Sequence, residues 1–458
     1  MFSKETYIAR RVKLKQAVGS GLLLFIGNDE CGMNYADNTY HFRQDSTFLY
    51  FFGLPYAGLS AIIDIDNDRE IIFGDELTID AIVWMGTQPT LKEKSEATGL
   101  NDVRPFNSIV DYLKNAQQAG QTIHYLPTYR PEHQIKLNAW LGVPIGCDKP
   151  SVPFIMGVAN LRNYKSAEEI AEIDKACIVT ADMHLAAMRT VRPGLRESDV
   201  AAAVAEAAFK HNYQLSFPII ATINGQTLHN HDHSHLIKSG DMVLLDAGAE
   251  TEMGYAGDMS STMPADRKFT QRQRDVYDIQ VAAHEAAVAD LRPGVNFVDV
   301  YEHSCAIIMQ GMKDLGFAKG DPMEAVKAGA HAMFMPCGLG HMMGLDVHDM
   351  ENLGEVYVGY NGKPKSTQFG RKSLRLGREL EPGFVLTIEP GVYFIPELMD
   401  LWRKEGKFTE FLNYDKLETY KDFGGIRNEE DYLITEDGAR LLGKKIPVRA
   451  EDVENEHC

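Results

Sequence analysis

Cysteine is sparse in this chain of 458 residues and falls in no pattern: Cys31, Cys147, Cys177, Cys305, Cys337 and Cys458 form no CxxC pair and keep no regular spacing. That argues against a disulfide framework and for reduced thiols in a cytoplasmic protein. Long apolar runs are missing too. No window reaches the ~18 apolar residues of a membrane span, and the opening MFSKETYIARRVKLKQ is charged, without the apolar core of a secretory signal. Positive charge is the third deficit: 46 Lys and Arg stand against 65 Asp and Glu, a net charge of −19. Phosphate neutralisation needs clustered Lys and Arg, so neither nucleic acid nor membrane is expected as a partner. What remains is an ordinary soluble composition, 44% hydrophobic and 24% charged, with length enough for two or three domains.

The first part of the chain reads as a small α/β unit. Residues 22–27 (LLLFIG), 59–65 (LSAIIDI) and 70–73 (EIIF) are short apolar, β-branched-rich runs bounded by Gly, Asp and Asn, with amphipathic stretches around them. A boundary falls between 150 and 165, where KPSVPF is punctuated by proline and Ser166-Ala-Glu-Glu169 has the S-x-x-E form of a helix capping box. Two domains are therefore expected, 1–160 and 161–458. The second contains a recurrence: VRPGLRESDV at 191–200 matches LRPGVNFVDV at 291–300, and His184-x-Ala-Ala matches His284-x-Ala-Ala at the same offset. Chance reuse of a helix–RPG–helix junction and internal duplication both account for it. Duplication predicts two facing halves, each a helix pair plus a sheet, with a cleft where they meet.

Five runs in that second part carry side chains suited to divalent metals: VLLDAGAE (243–250), YAGDMSST (255–262), GLGHMMGLDVHD (338–349), LTIEPGVY (386–393) and GGIRNEED (424–431). Their candidate ligands are Asp246, Asp258, His341, Glu389 and Glu429. Four carboxylates beside one imidazole are too much negative charge to gather without cations. Two divalent ions would balance them and leave a water between the metals to be activated, so a hydrolase follows. Asp246 and Asp258 fit opposite arms of a hairpin. A seven-residue gap is unnatural for two histidines on one ion, so His341 is read as the ligand and His348 as a donor to substrate. Glu389 is placed at a strand end before a Pro-Gly turn. Arg427 and Glu429, two apart in one strand, are placed on one face with the guanidinium orienting the carboxylate. In HNHDHSH (229–235) only His229 is read as anchored; His231, His233 and His235 are read as solvated and dispensable. A site of carboxylates with one imidazole suits Mn²⁺ or Co²⁺ over thiolate-preferring metals.

In this order the five runs resemble the metal-binding signature of the pita-bread metallopeptidases, which include methionine aminopeptidase, aminopeptidase P and prolidase. FRQDSTFLYFFG (42–53) is similar to the start of the N-terminal domain shared by aminopeptidase P and prolidase, so the resemblance spans nearly the whole chain. It implies an α/β (α+β) fold in which a small N-terminal aminopeptidase P-like domain precedes a pita-bread catalytic domain with an internal pseudo-twofold repeat. By analogy it also implies a homodimer. The implied cofactor is a pair of divalent ions, Mn²⁺ first, with Co²⁺, Zn²⁺ or Fe²⁺ as alternatives. Asp246 would chelate one, Asp258 and Glu429 would bridge both, and His341 with Glu389 would complete the second. His229 and His348 would contact the scissile carbonyl and the tetrahedral intermediate, Glu389 would take the proton of the attacking water, and Arg427 would assist as a catalytic group.

Within that group KSLRLGRELEPGFVLTIEPG (372–391) resembles the segment in which prolidases hold the substrate carboxylate with an arginine, here Arg375, and residues 392–427 resemble the prolidase insertion between the glutamate motifs. The implied substrate is a small peptide with proline at its second position, an Xaa-Pro dipeptide before the longer peptides of aminopeptidase P. The chain departs from the pattern at Cys337, where both enzymes carry His. A binding protein that keeps the fold without catalysis is the third reading; the intact ligand set weighs against it.

Overall fold

The computed structural model describes residues 1–457. The chain divides into two compact units, Met1–Arg162 with Met350–Val358, and Asn163–Asp349 with Gly359–Cys458. Among the described residues no helix is long and apolar enough to cross a membrane.

In the first unit, strands β1 (Leu22–Ile26), β2 (Ser60–Asp64), β3 (Arg69–Phe73), β4 (Asp102–Arg104) and β5 (Ile123–His124) form one sheet in the order β4-β3-β2-β1-β5. The three strands legible in the sequence pair antiparallel at the centre, and the two short ones add parallel at the edges. Alternation sends Leu22 and Leu24 to one face, with Ile62, Ile71 and Phe73, against helices α3 (Ser108–Gln118) and α4 (Pro131–Leu141). On the other face Phe25 meets Phe51 and Phe52 of α2 (Ser46–Phe52) and Phe154 of α5 (Val152–Arg162), with ring centroids 5.0–5.5 Å apart. Helix α1 (Lys4–Val18) packs on α2 and α5.

The second unit opens at the capping box read from the sequence. Ser166 caps α6 (Ala167–Thr190): Glu169 N–H donates to its hydroxyl and Ser166 N–H donates to the Glu169 carboxylate. The unit is built twice over. α6 pairs with α7 (Glu197–Phe209) and is followed by β6 (Gln214–Leu215), β7 (Ile220–Thr222), β8 (Met242–Ala247), β9 (Ala249–Glu250) and β10 (Met259–Pro264). α8 (Gln271–Asp290) pairs with α9 (Phe297–Asp314), and β11 (Val385–Ile388), β12 (Gly391–Tyr393), β13 (Gly425–Arg427), β14 (Glu430–Ile434) and β15 (Ala439–Leu441) follow. Three-stranded sheets β10-β8-β7 and β11-β14-β15 sit in the two halves.

The Arg-Pro-Gly recurrence is not coincidence of composition, because the backbone repeats with it. Gly194 N–H donates to Ile237 and Gly294 N–H to Leu380, each 2.9 Å. Ile237 and Leu380 return bonds to Leu195 and Val295, each 2.8 Å. Both glycines take positive φ, 93° and 83°, where a Cβ would be strained. The His184 and His284 side chains are buried in both copies.

Replacing Ser166 by Ala removes the reciprocal cap and should cost about 1 kcal/mol, read as a lower urea midpoint with unchanged slope; Ser166→Asn should restore most of it.

Candidate metal centre

Asp246 is the fifth residue of β8, and its register partner on antiparallel β10 is Ser260. Asp258 lies just before β10, so both carboxylates leave the same end of the pair. Gly248 makes the turn close: a Cβ there would sit 1.9 Å from the Gly257 carbonyl oxygen. On the other side residues 339–343 run along β11, with Glu389 N–H donating to Leu339 and Thr387 N–H to His341. That pairing places His341 next to Glu389. It also explains the Gly-Leu-Gly spacing, since a Cβ at Gly340 would lie 2.0 Å from the Thr387 oxygen. Glu429 enters through an antiparallel bridge to Ser260, which joins the two halves. Ligand atoms of Asp258, His341 and Glu429 all fall within 4.8 Å of one another. His341 Nε2 is 3.4 Å from Asp258 and 3.8 Å from Glu389.

These side chains line one cavity of about 470 Å³, with His229, His231, His348, Arg375, Cys337, Tyr393 and Arg427 on the same walls. The His341 and His348 rings stand 4.1 Å apart, centroid to centroid. Burial and the crowding of Asp258, Glu429, Asp246 and Glu389 push the Asp258 and Glu429 carboxyls well above the ordinary range. Buried Arg427 is the cation inside the cluster, and it is engaged: Nη2 donates to Asp246 at 2.6 Å, Nη1 to the Tyr393 hydroxyl at 2.9 Å and Nε to the Ser260 hydroxyl at 2.9 Å. One guanidinium against four carboxylates leaves the cluster short of positive charge, which divalent cations would supply. The donors fit hard ions, oxygen plus one imidazole, and burial raises the neighbouring Cys337 thiol to about 12.

A model of metallopeptidase family M24 matches residues 171–436. The chain belongs to metallopeptidase family M24. A second model, the aminopeptidase P N-terminal domain, matches residues 7–124. Among curated proteins the Xaa-Pro aminopeptidase of Escherichia coli (strain K12) is 30% identical over 469 residues, 99% of this chain and 97% of the relative. The Xaa-Pro dipeptidase of Homo sapiens is 27% identical over 461 residues, 98% of this chain and 91% of the relative. In solved structures, Escherichia coli aminopeptidase P with the inhibitor Pro-Leu superposes with a TM-score of 0.80 at 28% identity, covering 100% of this chain and 98% of that one. Proline aminopeptidase P II from Yersinia pestis gives a TM-score of 0.81 at 27% identity, covering 100% and 99%. The protein is thus a metallopeptidase with the α/β architecture expected, an aminopeptidase P-like N-terminal domain ahead of the M24 catalytic fold.

Three local expectations need correction in this M24 site. The Pro390-Gly391 step is not a turn; it separates β11 from β12, which continues to Tyr393 and pairs with β13. Arg427 and Glu429 do not share one continuous strand, because the ladder breaks between β13 and β14 at Asn428 and Glu429. Arg427 accordingly orients Asp246, and Glu429 is oriented by the Ser260 hydroxyl at 2.8 Å. The histidine-rich loop is also better anchored than its composition suggests. His231 lines the cavity, His233 Nε2 lies 3.0 Å from the Ile219 oxygen, and His235 Nδ1 lies 2.9 Å from the fully buried Glu197. The hydrogen bond that His235 donates to Glu197 raises the His235 pKa. Burial lowers that of His229.

Sequence reasoning missed Ser260 and Tyr393. Ser260 stands two residues beyond Asp258 on the same strand side, so the two-residue period held the signal. Tyr393 had none, since its role depends on a strand pairing 34 residues from Arg427.

Folding raises the Asp258 and Glu429 carboxyls, and burial brings the neighbouring Asp431 to about 7. A carboxyl raised by folding holds its proton more tightly in the folded chain, so it favours folding at low pH and that advantage fades as pH rises through the folded value. Metal-stripped protein should therefore lose stability from pH 5 to pH 8, and Glu429→Gln should flatten the slope. Urea midpoints across that range check it; equal slopes in both proteins would count against the crowding.

Proposed function

We propose that this metallopeptidase removes the residue preceding a proline at the second position of small peptides, with Xaa-Pro dipeptides as its leading substrates. The observation behind the reading is the gathering of five candidate metal-ligand side chains, three further imidazoles and two guanidiniums on the walls of one cavity. Asp246, Asp258, His341, Glu389 and Glu429 would hold two divalent cations, Mn²⁺ in first place and Co²⁺, Zn²⁺ or Fe²⁺ behind it. When bound, the pair lowers the pKa of a shared water and polarises the scissile carbonyl. Glu389 accepts that water's proton, its carboxylate reaching both His341 and the open cavity. His229 and His348 donate to the carbonyl oxygen as negative charge develops on it. Arg427 keeps Asp246 in place through a charge-assisted bond. A proline nitrogen carries no N–H, so the cavity needs no acceptor for it.

Arg375 on the cavity wall supports the dipeptidase reading, because a planar guanidinium suits a free carboxylate one residue beyond the scissile bond. The full-length likeness to aminopeptidase P supports the second reading, release of the N-terminal residue from longer Xaa-Pro peptides. A catalytic domain within 161 to 458, an accessory domain built on 1 to 160 and a cytoplasmic homodimer complete the proposal, supported by the family resemblance and the cysteine pattern.

Rates on Gly-Pro against Gly-Pro-Xaa peptides separate the two: faster cleavage of the longer peptides would replace the dipeptidase reading by the aminopeptidase one. Arg375→Ala should raise KM for Xaa-Pro dipeptides by roughly ten- to a hundredfold, the worth of a charge-assisted bond of ~1.5–3 kcal/mol, and leave longer peptides little changed.

Alanine at His229 or His348 should lower kcat by on the order of 10²-fold with both metals retained, as loss of an oxyanion donor does. Elemental analysis beside the kinetics checks this, and metal loss would make either residue a ligand instead.

A further inference from the structure

The repeat carries more than its backbone turns. On α6 the buried side chains facing the sheet include Cys177, Thr180 and His184; at the same offset α8 presents Tyr277, Gln280 and His284, also buried. Spacings of three and four residues put each trio on one helix face. Polar groups on a helix face aimed into a core are costly unless they find partners, and three of the partners here are backbone carbonyls directly beside Asp246, Glu389 and Glu429. On α6, His184 Nε2 lies 3.1 Å from the oxygen of Ala247, next to Asp246, and Thr180 accepts from Ala249 N–H at 2.9 Å. The Cys177 thiol donates to Asp431 Oδ2 at 3.1 Å, and that same oxygen accepts Asp258 N–H at 3.1 Å.

Gln280 does the corresponding work on α8 with one amide. Its Nε2 donates to the Pro390 oxygen at 2.7 Å, directly beside Glu389, and lies 3.4 Å from the Asn428 oxygen, directly beside Glu429. Its Oε1 accepts from the Asn428 side-chain amide. Both contacted residues sit where the ladder is interrupted, between β11 and β12 and between β13 and β14. An interrupted strand lets a carboxylate turn into the cavity, and here it leaves the carbonyls of Pro390 and Asn428 outside the strand ladders, two buried acceptors to be satisfied. Gln280 meets both needs and is completely buried.

We propose that Gln280 is a positioning residue of the metal centre, a clamp that fixes the two backbone breaks from which Glu389 and Glu429 project. The inference rests on the two-metal reading above. It assigns α8 the part in the second half of the repeat that Thr180, His184 and the Cys177–Asp431 pair play in the first.

The test uses the full chain and Mn²⁺ as the probe. Gln280→Met keeps length and removes both polar atoms. It should weaken Mn²⁺ binding by about 10–100-fold, the usual cost of losing a group that orients a metal ligand, measured by calorimetric titration and by the rate of metal release to a chelator. Val281→Ala, a packing loss on the same helix, should lower the melting temperature of metal-free protein while leaving Mn²⁺ affinity at the wild-type value. Wild-type affinity in Gln280→Met, or an equal loss in Val281→Ala, overturns the proposal. Should Gln280→Met fail to fold, Asn428→Ala opens the same clamp from the other side, and wild-type Mn²⁺ affinity there overturns it as well. A wild-type chain that takes up no Mn²⁺ would instead remove the two-metal reading, a distinct result.

Discussion

Repulsion among four carboxylates drawn into one buried pocket is the constraint that organises the second unit. Asp258 and Glu429 are buried and Asp246 and Glu389 half-buried beside them, so water screens the group poorly, and the Arg427 guanidinium is inserted among them. Nothing in packing alone would assemble such a group, since burying like charges costs several kcal/mol apiece on the scale of real proteins. The fold must therefore hold it by force of backbone: strand pairing for Asp246 and Asp258, an inter-half bridge for Glu429, and a segment laid along β11 for His341 and Glu389. The glycines at 248 and 340 follow from the same demand, because only a missing side chain lets those backbones approach so closely.

Much of this was legible in the sequence, and the reasons are physical. Strands β1, β2 and β3 could be read because each holds a short run of consecutive apolar residues buried on both faces. β4 and β5, three and two residues long, carry too few positions for a period to show. The boundary helix could be read from Ser166 and Glu169 because a capping box is chemistry local to four residues. The nine cavity residues singled out beforehand all line the cavity, because metal ligands are restricted to few residue types and stand beside glycines.

What stayed hidden depends on partners far off in the chain. Arg427 was paired with Glu429 by counting along a strand, yet the strand breaks and the guanidinium turns to Asp246, 181 residues away. The histidines at 233 and 235 looked solvated because their immediate neighbours are polar, while what fixes them lies elsewhere, at the Ile219 carbonyl and at buried Glu197. Local composition reports what surrounds a residue in the chain and is silent about what folds against it.

The segment Met350–Val358 belongs to the first unit, although 187 residues separate it from Arg162 (349 − 162). Its helix, Glu355–Val358, packs on Val152–Arg162. On the ribosome the amino-terminal unit is therefore still missing a piece when its own sheet and helices have been synthesised, and it can close only after both histidines of the 338–349 run have emerged. The two units are not beads that could be cut apart and traded between proteins at residue 162. A gene fragment ending there would encode a unit without its last helix, and one beginning there would carry that helix as a stranded apolar insertion.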